Sequence, residues 1–287
     1  MVARRTIIRA GALAPLAAAG VAGWTYAATA SVNLVGYSAT GSLSAEELDQ
    51  LTGRTARVVR VYHHEGAPVP SSLEAAKLLR YLRDENRHVV YSLKVPDSSS
   101  ATYAACNALA ADIAAQGYTG KIWVILWHEP FPELSAADFI ARYQAIAPAI
   151  RSHGVRCGVC FQVYPIWHKG LDYTTYWPGD AITDFLAIDT YPNDAPSGGL
   201  TADPLATIAP LTSFAKGRHK PFGIAEFGIR DTIAAADPTN AVAWIGKFER
   251  LGPSCHFTTY WNGGNAGLEH NDGLLVPAYQ RLYDHFS

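Results

Sequence analysis

The chain has no run of Lys or Arg in its body, no low-complexity linker and no Cys/His spacing of the zinc-site kind. Each absence excludes something. With 23 Lys and Arg against 25 Asp and Glu, the net charge of -2 offers nucleic acid no electrostatic handle. Without a linker, 287 residues read as one large domain rather than two small ones. No Gly-rich phosphate loop follows an early strand, which argues against an open doubly wound sheet. His63-His64-Glu65 is poorly spaced for a metal and reads as a polar loop. The cysteines are few: Cys106, Cys157, Cys160 and Cys255. Cys157 and Cys160 are three apart on one expected strand, so they face opposite sides and cannot bridge each other. Three connectivities of the four remain open.

What is present begins with an export signal. Arg4-Arg5 precede Thr6-Ile7-Ile8, a weakly apolar Ala/Gly run continues to Ala30, and Ala28-Thr29-Ala30 offers a cleavage site. Paired arginines with modest hydrophobicity point to the twin-arginine route. Residues 1–30 are therefore expected to leave, and residues 31–287 to act outside the cell. Pro15 and the many small residues make a poor spanning helix, so no stable membrane insertion is expected.

Apolar, β-branched runs then recur at residues 32–37, 57–63, 88–95, 122–127, 156–164, 185–191, 222–227 and 256–261. Most are apolar at nearly every position, as strands covered on both faces are. Helix-start signals lie between them. Ser44 with Glu47 and Ser71 with Glu74 have capping-box spacing. Asp203-Pro204 and Asp237-Pro238 place a cap before a proline. Ser135 opens a segment that Pro148 is expected to kink or end early. Residues 102–116 and 277–286 read as helices, and residues 173–180 as a short turn at most. The expected fold is α/β, a single (β/α)8 barrel.

Two acids stand at the ends of apolar runs: Glu129 in Trp127-His128-Glu129-Pro130 and Glu226 in Ala225-Glu226-Phe227-Gly228. By strand count these are the ends of strands four and seven, where such barrels place their active sites. A pair of carboxyls there is what glycosidic bond cleavage requires. This pattern resembles the retaining glycoside hydrolases of the large (β/α)8 clan. His128, where most of that clan has Asn, resembles family 26, which includes β-mannanases and some β-glucanases. The resemblance implies that Glu129 is the general acid/base and Glu226 the nucleophile. No metal or organic cofactor is then needed, and the partner is a polysaccharide or oligosaccharide.

The same resemblance implies a Tyr at the end of strand six that orients the nucleophile (Tyr191), an Arg near it (Arg60) and an aromatic floor at the end of strand eight (Trp261). Asp189 shares a strand face with Tyr191 and needs a partner if it points inward; Arg60 is the candidate. Trp127, Tyr164, Trp167 and Trp177 are candidate subsite aromatics, and core packing explains each as well. Asn265, in Trp261-Asn262-Gly263-Gly264-Asn265, carries an amide suited to sugar hydroxyls, while the glycines serve tight turns. Two other readings stand beside the hydrolase: a barrel that binds carbohydrate without cleaving it, and an unrelated secreted deacetylase or metal hydrolase. Intact acids argue against the first, and the missing His/Asp ligand cluster against the second.

Overall fold

The computed structural model describes residues 33–41, 43–64 and 66–287. The expected export signal and Glu65 lie outside the described residues. Eight parallel strands close a barrel in sequence order, β8 pairing with β1. They are β1 (Leu34–Ala39), β2 (Val58–His63), β3 (His88–Leu93), β4 (Ile122–His128), β5 (Arg156–Gln162), β6 (Phe185–Thr190), β7 (Phe222–Phe227) and β8 (Cys255–Asn262). The connecting helices are α1 (Ala45–Thr52), α2 (Leu79–Leu82), α3 (Ser100–Ala115), α4 (Ala136–Arg151), α5 (Tyr164–Lys169), α6 (Pro204–Thr207), α7 (Ala209–Gly217), α8 (Asp231–Ala236), α9 (Pro238–Gly246) and α10 (Val276–Phe286).

Local chemistry sets most helix starts. Ser44 accepts from the Glu47 amide and Glu47 returns the bond, a complete capping box. Ser135, Asp203 and Asp237 cap α4, α6 and α9 through their side chains. Three expectations fail. Ser71 does not open a helix: residues 71–77 are turns, Ser72 Oγ accepts from the Ala75 amide, and Lys77 at φ +55 breaks the run before α2. Pro148 does not end α4, which continues to Arg151. The proline sits one turn from the end, and Tyr143, Ile146, Ala147 and Ile150 hold the helix through their buried face. Strand five stops at Gln162, and Tyr164 begins α5 instead. Residues 173–176 form only a 3-10 turn.

Apolar side chains pack in two shells. One lies between strands and helices; the other fills the barrel, with Val58, Val90, Trp123, Phe185 and Phe257 among its members. Trp123 and Phe257 meet at 4.6 Å between ring centres. Gly223 makes room for Phe257, whose ring would stand 2.3 Å from any Cβ there. All four cysteines are buried free thiols, so none of the possible pairings forms. Cys157 faces the helices and Cys160 the barrel interior, as their spacing requires. This apolar plug closes the lumen from below and leaves the polar chemistry to the strands' C-terminal ends.

Candidate active site

Two β-bulges aim the site. In β4 the pairing with β5 gains one residue between Ile125 and His128. Trp123 and Ile125 point inward, so strict alternation would send Trp127 inward and His128 outward. The bulge reverses this: Trp127 joins the outer core, and His128 turns toward the cavity at the barrel mouth. Trp127 at φ +60 and Glu129 at φ +51 absorb the distortion in left-handed conformations, the kind of local strain stored at working sites. In β7 the pairing with β6 slips by one residue, setting Asp189 against Glu226. Ala225 already faces inward, so alternation alone would turn Glu226 out among the helices. The bulge brings it inside.

The resulting cavity holds about 650 Å³ and is lined by Tyr62, His128, Glu129, Tyr191, Glu226 and Trp261, among others. One oxygen each of Glu129, Asp189 and Glu226 lies within 4.8 Å of the other two. Arg60, buried beneath, donates from Nη1 to Asp189 Oδ1 at 2.8 Å and stands 3.0 Å from Glu226 Oε1. Ser92 Oγ receives its Nε at 3.0 Å. Tyr62 donates to Glu226 Oε1 at 2.5 Å, and Tyr191 donates to Oε2. Both oxygens of Glu226 are therefore held by hydroxyl donors, and the guanidinium stands against one of them. A divalent cation among these carboxylates would compete with the guanidinium already there.

Glu129 is different. No ion pair reaches it among the described residues, and burial, then the negative charges of Asp189 and Glu226, hold its carboxyl well above the usual range. Its surroundings favour the protonated form. His128 is held neutral: burial, then the charges of Arg60 and Lys94, push it down to about 2. Its ring meets Tyr62 edge-on at 5.4 Å.

Trp261 stands at the end of β8, edge-on to Tyr191 at 5.9 Å. Gly263 permits this, since a Cβ would lie 2.5 Å from Thr40 Oγ1 and 3.2 Å from the indole. Three expected contacts fall elsewhere. Arg60 is fully buried behind Glu226 and cannot touch a sugar. Trp167 lies outside the cavity on α5, 41% exposed, its indole N–H donating to the Thr207 carbonyl. Asn265 is not in the cavity wall; its carbonyl receives the Asp231 amide. Trp127 and Trp177 also lie outside, donating to Glu133 and Asp180, while Tyr164 does line the wall. Sequence reasoning missed Tyr62, which shares the strand face of Arg60 two residues on. It also missed Gln162, at the end of β5, and Asp194 and Arg230 beyond the ends of β6 and β7, none of which gave a signal.

No protein-family model matches the sequence, and no curated protein does. Solved structures match. A family 26 β-mannanase from Bacteroides ovatus superposes with TM-score 0.56 at 16% identity, over 88% of each chain. An endo-β-1,4-glucanase from Xanthomonas axonopodis pv. citri gives 0.58 at 14%, over 88% of this chain and 100% of that one. A family 128 (subgroup I) endo-β-1,3-glucanase from Amycolatopsis mediterranei gives 0.56 at 13%, over 87% and 99%. The chain thus has the (β/α)8 fold on which these glycoside hydrolases are built. Family 26, which His128 suggested, is among the similar folds.

Proposed function

We propose that this protein is a retaining glycoside hydrolase that cleaves a β-linked polysaccharide of mannan or glucan type, after export by the twin-arginine route. The carrying observation is the approach of the Glu129 and Glu226 carboxyls to within 4.8 Å. Retaining enzymes hold their pair about 5–5.5 Å apart, whereas inverting ones need about 6.5–9.5 Å to admit a water. The unequal environments supply the two roles. Glu226, fixed by Tyr62, Tyr191 and Arg60, attacks the anomeric carbon. Glu129 gives its proton to the departing glycosidic oxygen as that bond breaks, leaving a glycosyl ester on Glu226. Glu129, now ionised, takes a proton from water; the oxygen attacks the anomeric carbon, the ester bond breaks, and both carboxyls return to their starting states. Trp261 offers a flat apolar face to a sugar ring. The similar structures lend the substrate class: one is a β-mannanase, two are β-glucanases, and one of these was solved with laminaritriose. A purely binding barrel would have no use for an acid of raised pKa beside a carboxyl fixed by three donors.

The test is stereochemical. On an activated aryl β-glycoside, proton NMR should show the β-anomer of the free sugar forming first. With Glu129→Ala, azide should restore turnover and yield the β-glycosyl azide; with Glu226→Ala it should yield the α-azide. An α-anomer from the wild type, or the azide products exchanged, would refute the mechanism or the assignment.

A further inference from the structure

Among the described residues, the exposed ionisable side chains lining the cavity are basic. Its carboxyls are Glu129, Asp194 and Glu226. All are withdrawn: Glu226 is held by Arg60, Tyr62 and Tyr191, Glu129 is largely buried beside two other carboxyls, and buried Asp194 accepts from the Tyr191 amide at 2.7 Å. The exposed ionisable groups in the wall are His64 and Arg230. On a chain of net charge -2, a mouth with this bias is a feature of the site and not of the surface at large.

Arg230 is the sharper part. It lies between Gly228 and α8, on the wall shared with Ile233 and Trp261. Among the described residues its side chain makes no hydrogen bond and no ion pair, and it does not cap α8 through its side chain. None of the cavity carboxyls comes within ion-pair distance of it. Lys94 also lines the cavity but is tied to Glu133 at 2.6 Å, so it is not counted. Neutral sugars ask for amides, hydroxyls and aromatic faces. A planar guanidinium in the cavity wall with nothing internal to bind matches carboxylate or sulfate geometry instead.

We propose that the substrate is an anionic β-linked polysaccharide, whose sugars carry carboxylates or ester-bound oxyanions, and that Arg230 recognises the anion. This rests on the glycosidase reading and adds the charge class of the substrate. A residue that binds an anion beside the scissile bond favours such chains over neutral ones in kcat/KM, by about tenfold for one charge-assisted hydrogen bond. The advantage shrinks as salt screens it.

The experiment uses β-mannan and mixed-linkage β-glucan, each as the parent polymer, sparsely oxidised at C6 to uronic acid, and sparsely sulfated. Wild type, Arg230→Gln and Arg230→Lys are assayed at low and high salt, with a neutral aryl β-glycoside as reference. The expected result is a preference of about tenfold for an anionic form over its parent, weakened by salt. Arg230→Gln abolishes it and Arg230→Lys keeps part of it, each read as the ratio of kcat/KM on the anionic form to that on its parent within one variant. A preference confined to the sulfated form also supports the proposal and assigns the anion as an ester. Equal or faster cleavage of the parents, or a preference that survives Arg230→Gln, overturns it. If neither aryl glycoside nor polymer is cleaved, the glycosidase reading fails by itself. Calorimetric binding of oxidised against parent oligosaccharides to Glu226→Gln then still decides the charge question: tighter binding of the oxidised form supports it, equal binding overturns it.

Discussion

Nη1 of Arg60 lies 3.0 Å from Oε1 of Glu226, with the guanidinium wholly excluded from solvent. The same nitrogen serves Asp189 at 2.8 Å. One buried cation therefore holds two carboxylates, and it acts behind the site, without touching the cavity.

Removing that cation leaves buried charge without compensation. Arg60→Met should lower stability by about 3–5 kcal/mol, read by urea unfolding, and abolish activity. Adding Asp189→Asn should recover part of the stability, since it removes one orphaned carboxylate, and none of the activity. A single variant as stable as the wild type would contradict the pairing.

Tyr62 and Tyr191 each donate to one oxygen of Glu226. Tyr62→Phe and Tyr191→Phe should each reduce kcat by about ten- to a hundredfold, the cost of one hydrogen bond to a charged group. Melting temperatures should change little. Loss confined to KM would mean that the hydroxyls serve the sugar and not the carboxylate.

Glu129 makes stability depend on pH in a definite direction. Its folded pKa is raised by burial and by neighbouring carboxylates, so folding is favoured below the unfolded value of about 4.3 and that advantage fades as pH rises toward the folded value. Glu129→Gln removes the penalty. Thermal melts should coincide for variant and wild type near about pH 4 and separate above it, the variant being more stable. A variant less stable at neutral pH would mean that Glu129 is ionised and paired. Wild-type activity should likewise fall on the alkaline side as Glu129 loses its proton.

The cysteines offer a simple check. All four are buried thiols, and burial pushes Cys106 and Cys255 up to about 12. A thiol reagent should find none in the native protein and four in guanidinium. Reductant should leave the melting temperature unchanged; a drop would reveal a disulfide.

The strand pattern was legible because strands covered on both faces are apolar throughout, and all eight runs became strands within a few residues. The acids were legible because each ends such a run. Helix ends were read less well: Ser71 and Glu74 have the spacing of a capping box, but Lys77 and its turn override it. Aromatics were ambiguous. Trp127 reads in the sequence better as packing, and it joins the core; Trp167 and Trp177 read equally as platforms or packing, and each spends its indole N–H on a neighbouring acceptor outside the cavity.

Residue order alone determined the eight-fold alternation, and with it a closed barrel whose strand ends carry Glu129 and Glu226. It did not determine which way those ends face. Period-two alternation sends Glu226 outward, and only the pairing of β7 with its neighbours, one residue out of step, turns it inward beside Asp189. A bulge arises from the register between strands far apart in the chain, so no single segment encodes it. The unequal surroundings of the two acids have the same origin: Arg60, 69 and 166 residues earlier in the sequence than Glu129 and Glu226, stands 3.0 Å from Glu226 and makes no ion pair with Glu129.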